Sequence, residues 1–139
     1  MGVFRKQEGT VDHRQAVQAG YDGFARGDPG PLFSLMDPNI DWHLAEGYPY
    51  GGTYVGPDAI ANGVFAKLGS EWSGYIMTPD FIVVDGDRAI SIGTSSGTYK
   101  LTGKSFRARF VHVFTFSGDK LVRFEQVVDS AKVQEALSS

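Results

Sequence analysis

The stretch SFRARFVHVFTFSGDKLVRFEQVV, residues 105–128, decides the fold of this 139-residue chain. From Phe106 to Phe116 every second residue is aromatic or small except His112, while arginine, valine and threonine occupy the positions between them. This alternation is typical of a β-strand with two different faces. Turn residues at 117–120 precede a second run of β-branched and aromatic residues that ends at Val128. The stretch therefore predicts a β-hairpin.

The predicted hairpin places His112 in the middle of an apolar strand face. A three-residue loop at 118–120 gives these cross-strand pairs: Phe116 with Val122, Phe114 with Phe124, His112 with Gln126, and Phe110 with Val128. A lone histidine in this setting is often a neutral core residue bonded to its neighbours. The alternative is a proton carrier on a cavity wall, since the ordinary pKa of histidine is near ~6.5.

Composition narrows the classes of function. The length and a hydrophobic content of 42% predict a single globular domain over residues 1–139, and we expect residues 1–10 to be flexible. A net charge of -3 without a basic run argues against nucleic acid and anionic membranes as partners. The chain has no cysteine, so thiolate chemistry is excluded. No stretch resembles a signal peptide or membrane span, which predicts a cytoplasmic protein.

The N-terminal half predicts three helices and a short strand. Helical spacing of apolar residues runs over 11–26, followed by a shorter helix that Asp28 caps. In the strand 40–44, Trp42 and Leu44 point one way and His43 the other. An irregular loop at 46–56, rich in glycine and tyrosine, leads to a third helix from Pro57, whose Gly63 indicates close packing or a bend.

The second half predicts an antiparallel meander with an open space beside it. A two-residue turn at Thr102-Gly103 sets the following pairs: Tyr99 with Phe106, Gly97 with Ala108, Ser95 with Phe110, and Gly93 with His112. The small residues are unable to fill a sheet face, so the aromatic rings of the neighbouring strand should border a pocket. The alternative is that Phe33, Phe65 or Trp72 fills the gap.

The order of these elements predicts an α+β fold, a cone-shaped curved antiparallel sheet wrapped around about three helices with an internal pocket. The series YDGFARGD, LFSLMDPNIDW, GTYVGPDAI and TGKSFRARFVHVFTFSGDKLVRF resembles the nuclear-transport-factor-2-like superfamily over residues 11–129. It is most similar to the ketosteroid-isomerase-like and SnoaL-like polyketide-cyclase branch. The resemblance implies a ligand in the mouth of the cone and a homodimer through the outer sheet face.

The same resemblance suggests where chemistry would lie. Ketosteroid isomerases use an Asp base on the short strand, a protonated Asp on the central strand and a Tyr of the first helix. In this chain the two Asp positions fall on His43 and His112, and Tyr21 lies one residue from the Tyr position. Because the Asp–Asp–Tyr set is missing, the resemblance does not imply steroid isomerisation. The residues of this chain are more similar to those of the cyclases and dehydratases of the superfamily, which use His, Asp and Tyr.

The predicted site joins His43 and His112 across an apolar pocket, one as general base and the other as donor to a developing oxyanion. Tyr21 joins them as a catalytic residue, and the predicted ligand-binding residues are Trp42, Tyr99, Ala108, Phe110, Phe114, Phe124, Gln126 and Val128. This site predicts an isomerase, cyclase or dehydratase acting on a small apolar or carbonyl-bearing molecule. The alternative is a non-catalytic small-molecule-binding or regulatory module.

The residues bear on a metal site and on an interface between two copies of the chain. A metal site of His43, His112 and Glu46 has little support, since the chain lacks HxH and HExxH spacing, and we expect no metal or cofactor. On the outer hairpin face, Val111, Val113 and Val127 lie beside arginine residues, a pattern that favours a homodimer patch.

Overall fold

A single six-stranded sheet forms the frame of the protein, whose computed structural model describes residues 12–138. The predicted flexible segment 1–10 lies outside the described residues. The strands are β1 (Met36–Leu44), β2 (Gly52–Val55), β3 (Trp72–Asp85), β4 (Arg88–Tyr99), β5 (Ser105–Ser117) and β6 (Lys120–Val128). They lie in the order β2-β1-β6-β5-β4-β3. Strands β1 and β6 run parallel, so the sheet is mixed rather than wholly antiparallel as the sequence predicted.

The helices are α1 (His13–Ala25), α2 (Gly30–Phe33), α3 (Pro57–Ile60), α4 (Ala66–Glu71) and α5 (Ser130–Leu137). A π-helical turn, Ala61–Phe65, joins α3 to α4 in one continuous helical segment. Gly63 lies in this turn, and a Cβ there would stand 2.6 Å from the Tyr54 ring. The close packing that Gly63 predicted is therefore present.

Helix α1 and the helical segment 57–71 cover the concave face of the sheet, which is the predicted α+β arrangement. Alternate residues of β5, including Phe110, His112 and Phe114, are buried on that face. Because the side chains between them lie on the other face, the sheet has an apolar inner surface and a mixed outer one. Within residues 12–138, no helix is long and apolar enough to cross a membrane.

The predicted β5–β6 hairpin is confirmed over most of its length. His112 pairs with Gln126, and the neighbouring pairs are Phe114 with Phe124 and Phe110 with Val128. A bulge between Thr115 and Phe116 shifts the register near the turn, where Phe116 pairs with Leu121 instead of Val122.

The predicted β4–β5 register is wrong by two residues. His112 pairs with Ser91, Phe110 with Gly93, and Ala108 with Ser95. Residues 100–104 all lie in the connection, where the Gly103 amide donates to the Tyr99 carbonyl at 2.8 Å. A slip of two residues keeps every side chain on its own face, so the sequence pattern did not distinguish the two registers.

The open space predicted beside Gly93 and Gly97 is also absent. A Cβ on Gly93 would lie 2.2 Å from the Thr78 carbonyl oxygen and 2.7 Å from Phe110 Cζ. A Cβ on Gly97 would lie 3.2 Å from Tyr75 Cα. The absence of a side chain at the two glycines thus allows strand β3 and the Phe110 ring to pack closely against β4. The cavity of the protein therefore lies elsewhere.

Candidate functional site

A narrow cavity of about 40 Å³ lies between α1, the helical segment 57–71 and the concave face of the sheet. Its walls are apolar or uncharged, and its polar members come from α1, β1, β5, β6 and the loop before β2. The residues around it are Val17, Gly20, Tyr21, Phe24, Leu32, Trp42, Leu44, Tyr48, Val64, Phe65, Leu68, Met77, His112, Phe114, Phe124 and Gln126. Among the described residues, no aspartate, glutamate, lysine or arginine borders this cavity.

Four buried polar side chains form a chain of hydrogen bonds at one wall of the cavity. The Tyr21 hydroxyl lies 2.5 Å from Ser91 Oγ and 2.5 Å from His112 Nδ1, and His112 Nε2 lies 2.8 Å from Gln126 Oε1. Each of the four side chains is at most 6% exposed. The helix α1 brings Tyr21 to the sheet, and the registers of β4 and β6 place Ser91 and Gln126 on either side of His112.

The amide oxygen of Gln126 can accept a hydrogen bond but cannot donate one, and this fixes the direction of the other bonds in the chain. His112 Nε2 therefore donates to it, and in a neutral ring Nδ1 accepts the proton of the Tyr21 hydroxyl. The Tyr21 oxygen in turn accepts from Ser91 Oγ. Both nitrogens of the His112 ring are committed to these bonds, and a bound molecule must displace Tyr21 or Gln126 to reach either of them.

Burial controls the protonation of this wall. Complete burial lowers the pKa of His112 to about 3, although the hydrogen bond to Gln126 opposes the shift. Burial likewise raises the pKa of Tyr21 far above its ordinary value, with the Ser91 hydrogen bond acting in the opposite direction. Both side chains are therefore neutral at physiological pH, and the imidazole is a weak base.

Trp42, on β1, contributes a further buried donor beside the cavity. Its side chain is 4% exposed and its indole Nε1 has no hydrogen-bond partner within the part of the chain that the structure describes. The indole stacks on Phe124 with centroids 3.9 Å apart and meets the edge of Phe65 at 5.9 Å. An unmade hydrogen bond of a buried donor is costly, so this N–H group is an uncompensated donor on a residue that borders the cavity.

A second polar contact lies at the end of the cavity near the loop before β2. Tyr48 borders the cavity, and its hydroxyl lies 2.5 Å from that of Tyr75 on β3. Burial, followed by the proximity of Tyr75, raises the pKa of Tyr48, and burial raises the pKa of Tyr75 to about 12. Both hydroxyls keep their protons and hold the loop against the sheet.

The predicted convergence of His43 and His112 is wrong. His43 lies on the outer face of β1, where its ring contacts Thr53 Oγ1 at 3.0 Å and Arg123 at 2.8 Å. Trp42 occupies the inner face at the adjacent position, and successive strand residues point to opposite faces. His43 and His112 are therefore also unable to ligate one metal ion.

Other predicted site residues divide into two groups. Those that border the cavity are Tyr21, Trp42, His112, Phe114, Phe124 and Gln126. Tyr99 packs on Trp72 instead, at a centroid distance of 4.9 Å, because it pairs with β3 and lies beyond the cavity. Ala108, Phe110 and Val128 are buried in the sheet core outside the cavity wall, where Phe110 stacks on His112 at 3.9 Å.

The sequence reasoning missed Ser91 and most of the helical wall. Ser91 escaped notice because the β4–β5 register was misplaced by two residues. Val17, Gly20 and Phe24 share the apolar face of α1 with Tyr21, so the helical period was the available signal. Tyr48 lies in a loop without periodicity, and no pattern in the sequence indicated that its side chain is buried.

Comparison with known proteins agrees with the fold just described. Residues 17–124 match the SnoaL-like domain family. The chain belongs to that family. In this SnoaL-like protein the matched range begins at Val17 in α1 and ends at Phe124 in β6, so it includes every cavity residue except Gln126.

Solved structures place the SnoaL-like chain in the NTF2-like superfamily. An NTF2-like protein of Burkholderia thailandensis is 39% identical, with a TM-score of 0.87 over 91% of this chain and 97% of that one. TerC, co-crystallised with polyporic acid, is 30% identical, with a TM-score of 0.79 over 90% and 97%. A protein of Catenulispora acidiphila with a ketosteroid isomerase-like fold, in complex with trimethylamine, is 16% identical, with a TM-score of 0.75 over 87% and 90%. No curated protein sequence matches this chain.

Proposed function

We propose that this protein binds a small neutral molecule bearing a carbonyl or similar acceptor, with the acceptor hydrogen-bonded to Trp42 Nε1. The observation that carries the proposal is the buried, unpartnered indole N–H of Trp42, a residue that borders an apolar cavity. A ligand carbonyl there satisfies a donor that otherwise costs about 1–3 kcal/mol in the free protein. TerC, a relative co-crystallised with a small molecule, supports a ligand-binding role for the same fold.

The charge of the ligand follows from the walls. No ionised side chain of residues 12–138 borders the cavity, and His112 is neutral because burial lowers its pKa to about 3. A charged ligand would lose its hydration without gaining a counter-ion, which is strongly unfavourable in an apolar site. The stacked pair of Trp42 and Phe124 supplies a flat wall suited to an aromatic or conjugated group.

Turnover of such a ligand by His-based acid/base chemistry is the second candidate, as an isomerase, cyclase or dehydratase. The short Tyr21–His112 hydrogen bond at the cavity wall favours it, because that pair is able to pass a proton. The pKa of His112 and the engagement of both ring nitrogens argue for binding instead. Deuterium exchange into the methyl group of acetophenone in D₂O separates the two, since only proton abstraction next to the carbonyl accelerates it.

Substitution of Trp42 tests the proposed hydrogen bond. Acetophenone and α-methylstyrene have nearly the same shape, but only the ketone accepts a hydrogen bond. In Trp42→Phe, the ratio of acetophenone affinity to α-methylstyrene affinity should fall about tenfold, because the indole donor is lost. Both affinities are measured by NMR titration.

Trp72→Phe is the matched control, since the Trp72 indole already donates to the Tyr50 hydroxyl at 2.8 Å. The affinity ratio of this control should equal that of the wild type. An unchanged ratio in Trp42→Phe, or equal losses in both variants, would contradict the proposed contact.

We also propose that the protein forms a homodimer through the outer sheet face. Two neighbouring rows of apolar side chains lie there: Phe81, Ile92, Val111 and Val127 cross β3 to β6, and Val83, Ile90 and Val113 cross β3 to β5. Phe81, Val83 and Val127 are 49%, 49% and 57% exposed. A second copy of the chain would bury this continuous band.

Light scattering should therefore give a solution mass twice the chain mass of 15.1 kDa. Val127→Glu should shift the protein to the monomer, because a carboxylate would be buried without a partner at the interface. Leu101→Glu is the control, since Leu101 is 86% exposed in the β4–β5 connection and off the band. A monomeric wild type at micromolar concentration would refute the proposed dimer.

A further inference from the structure

A second concavity, here called the outer groove, lies beside the cavity and has a volume of about 440 Å³. Four aromatic side chains, Phe24, Phe65, Trp72 and Tyr75, form much of its wall, together with Leu68 and Gly69. None of its lining residues, all of which belong to the described part of the chain, carries a charge. Its composition suits a flat apolar group better than a polar or ionic one.

The outer groove and the cavity share a wall. Phe24, Phe65 and Leu68 border both, and the rings of Phe24 and Phe65 meet edge to face with centroids 5.7 Å apart. At one side of this wall the Tyr48 hydroxyl in the cavity bonds to the Tyr75 hydroxyl in the groove. The side chains of Phe24, Phe65 and Leu68 therefore form part of the partition between the two spaces.

Phe65 is the member of this wall that links the groove to the unpartnered donor. Its ring touches Phe24 on one side and lies 5.9 Å from the Trp42 ring on the other. It is the last residue of the π-helical turn, a rare geometry that often marks functional sites. Phe24 and Phe65 are both only partly buried, so their rings have room on the groove side.

We propose that the outer groove receives the aromatic end of an elongated ligand whose carbonyl lies at Trp42, with Phe24 and Phe65 displaced to join the two spaces. This inference rests on the proposed function. The cavity of about 40 Å³ has no space for an extended aryl substituent, whereas the groove of about 440 Å³ has space for a ring beyond the shared wall. The ligand class is thus a neutral carbonyl compound with an extended aryl substituent.

Gly69 allows the groove to be blocked without touching the cavity. It lies in α4 and lines the groove, and a Cβ built on it meets no atom within 4 Å. Its backbone has an ordinary helical conformation, so a larger side chain introduces no strain there. Gly69→Trp places an indole in the groove, and Gly69→Ala is the matched control that leaves the groove open.

The test compares 4-acetylbiphenyl with acetophenone, which differ by one phenyl ring para to the ketone. Wild type and Gly69→Ala should bind 4-acetylbiphenyl at least about tenfold more tightly than acetophenone, whereas Gly69→Trp should reduce this ratio to about one. Acetophenone affinity should be equal in all three proteins.

The experiment distinguishes failure of the proposed function from failure of the proposed groove. Absence of acetophenone binding to the wild type would remove the proposed function itself. Normal acetophenone binding, with a biphenyl preference that is absent or survives in Gly69→Trp, would refute the role of the groove alone. Thermal unfolding of the variants confirms that the compared proteins are folded.

Discussion

Acidification from pH 7 to pH 4 should destabilise this protein by about 3 kcal/mol through His112 alone. Burial lowers the pKa of His112 from 6.5 to about 3 in the folded state. Below pH 6.5 the unfolded chain takes up a proton at this imidazole while the folded protein does not, so the free energy of unfolding falls as the pH falls towards 3. Above pH 6.5 the imidazole is mostly neutral in both states, so the contribution of His112 to the free energy of unfolding no longer changes with pH.

Urea denaturation of the wild type and of His112→Gln at pH 7 and pH 4 measures this contribution. Carboxylates that titrate in the same range affect both proteins, so the difference between their pH dependences isolates His112. The variant is expected to be less stable at pH 7, because it perturbs the bonds to Tyr21 and Gln126, yet to lose about 3 kcal/mol less on acidification. Equal losses in the two proteins would show that His112 is not a buried neutral imidazole.

NMR gives an independent check. The Cε1–H signal of His112 should keep its chemical shift between pH 7 and pH 4.5, because its pKa is lowered to about 3. The signal is assigned by its absence in His112→Gln. A midpoint near pH 6 would contradict the hydrogen-bonded chain from Ser91 to Gln126.

The hairpin of β5 and β6 was the most predictable part of the fold. Its alternation and its turn residues lie within one short stretch, so local sequence determines both the faces and the pairs around His112. The connection from β4 to β5 carries no such constraint, and a slip of two residues leaves the alternation intact. This ambiguity concealed Ser91 and, with it, the partner of Tyr21.

The error at His43 has a different origin. Alternation within β1 places Trp42 and Leu44 inward and His43 outward, as the structure has them. Alignment to the ketosteroid isomerase pattern places His43 at the position of the catalytic base, which requires an inward side chain. The strand geometry is the stronger constraint, because one residue cannot face inward without turning its neighbours outward. Trp42, which the alternation selected, is the side chain that contributes an unpartnered donor.

The small residues of β4 were the other misinterpreted signal, and Gly93→Ala tests the packing that replaces the predicted void. An added Cβ would stand 2.2 Å from the Thr78 carbonyl oxygen and 2.7 Å from Pro79 Cα, both backbone atoms of the paired strand β3. It would also press on Phe110, whose ring stacks on His112. We expect Gly93→Ala to lower the free energy of unfolding by about 3 kcal/mol or more, because backbone held in a ladder cannot yield as a side chain does.

Gly69→Ala supplies the matched comparison for this prediction. The chemical change is identical, but the new methyl group at Gly69 meets no atom within 4 Å, and the site is helical. This variant should gain about 0.5–1 kcal/mol from helix propensity. Urea denaturation of both variants should therefore show changes of opposite sign in the free energy of unfolding: a loss for Gly93→Ala and a gain for Gly69→Ala. If Gly93→Ala proved as stable as Gly69→Ala, the sheet would have free space beside β4, and the cavity would have to extend towards Phe110 after all.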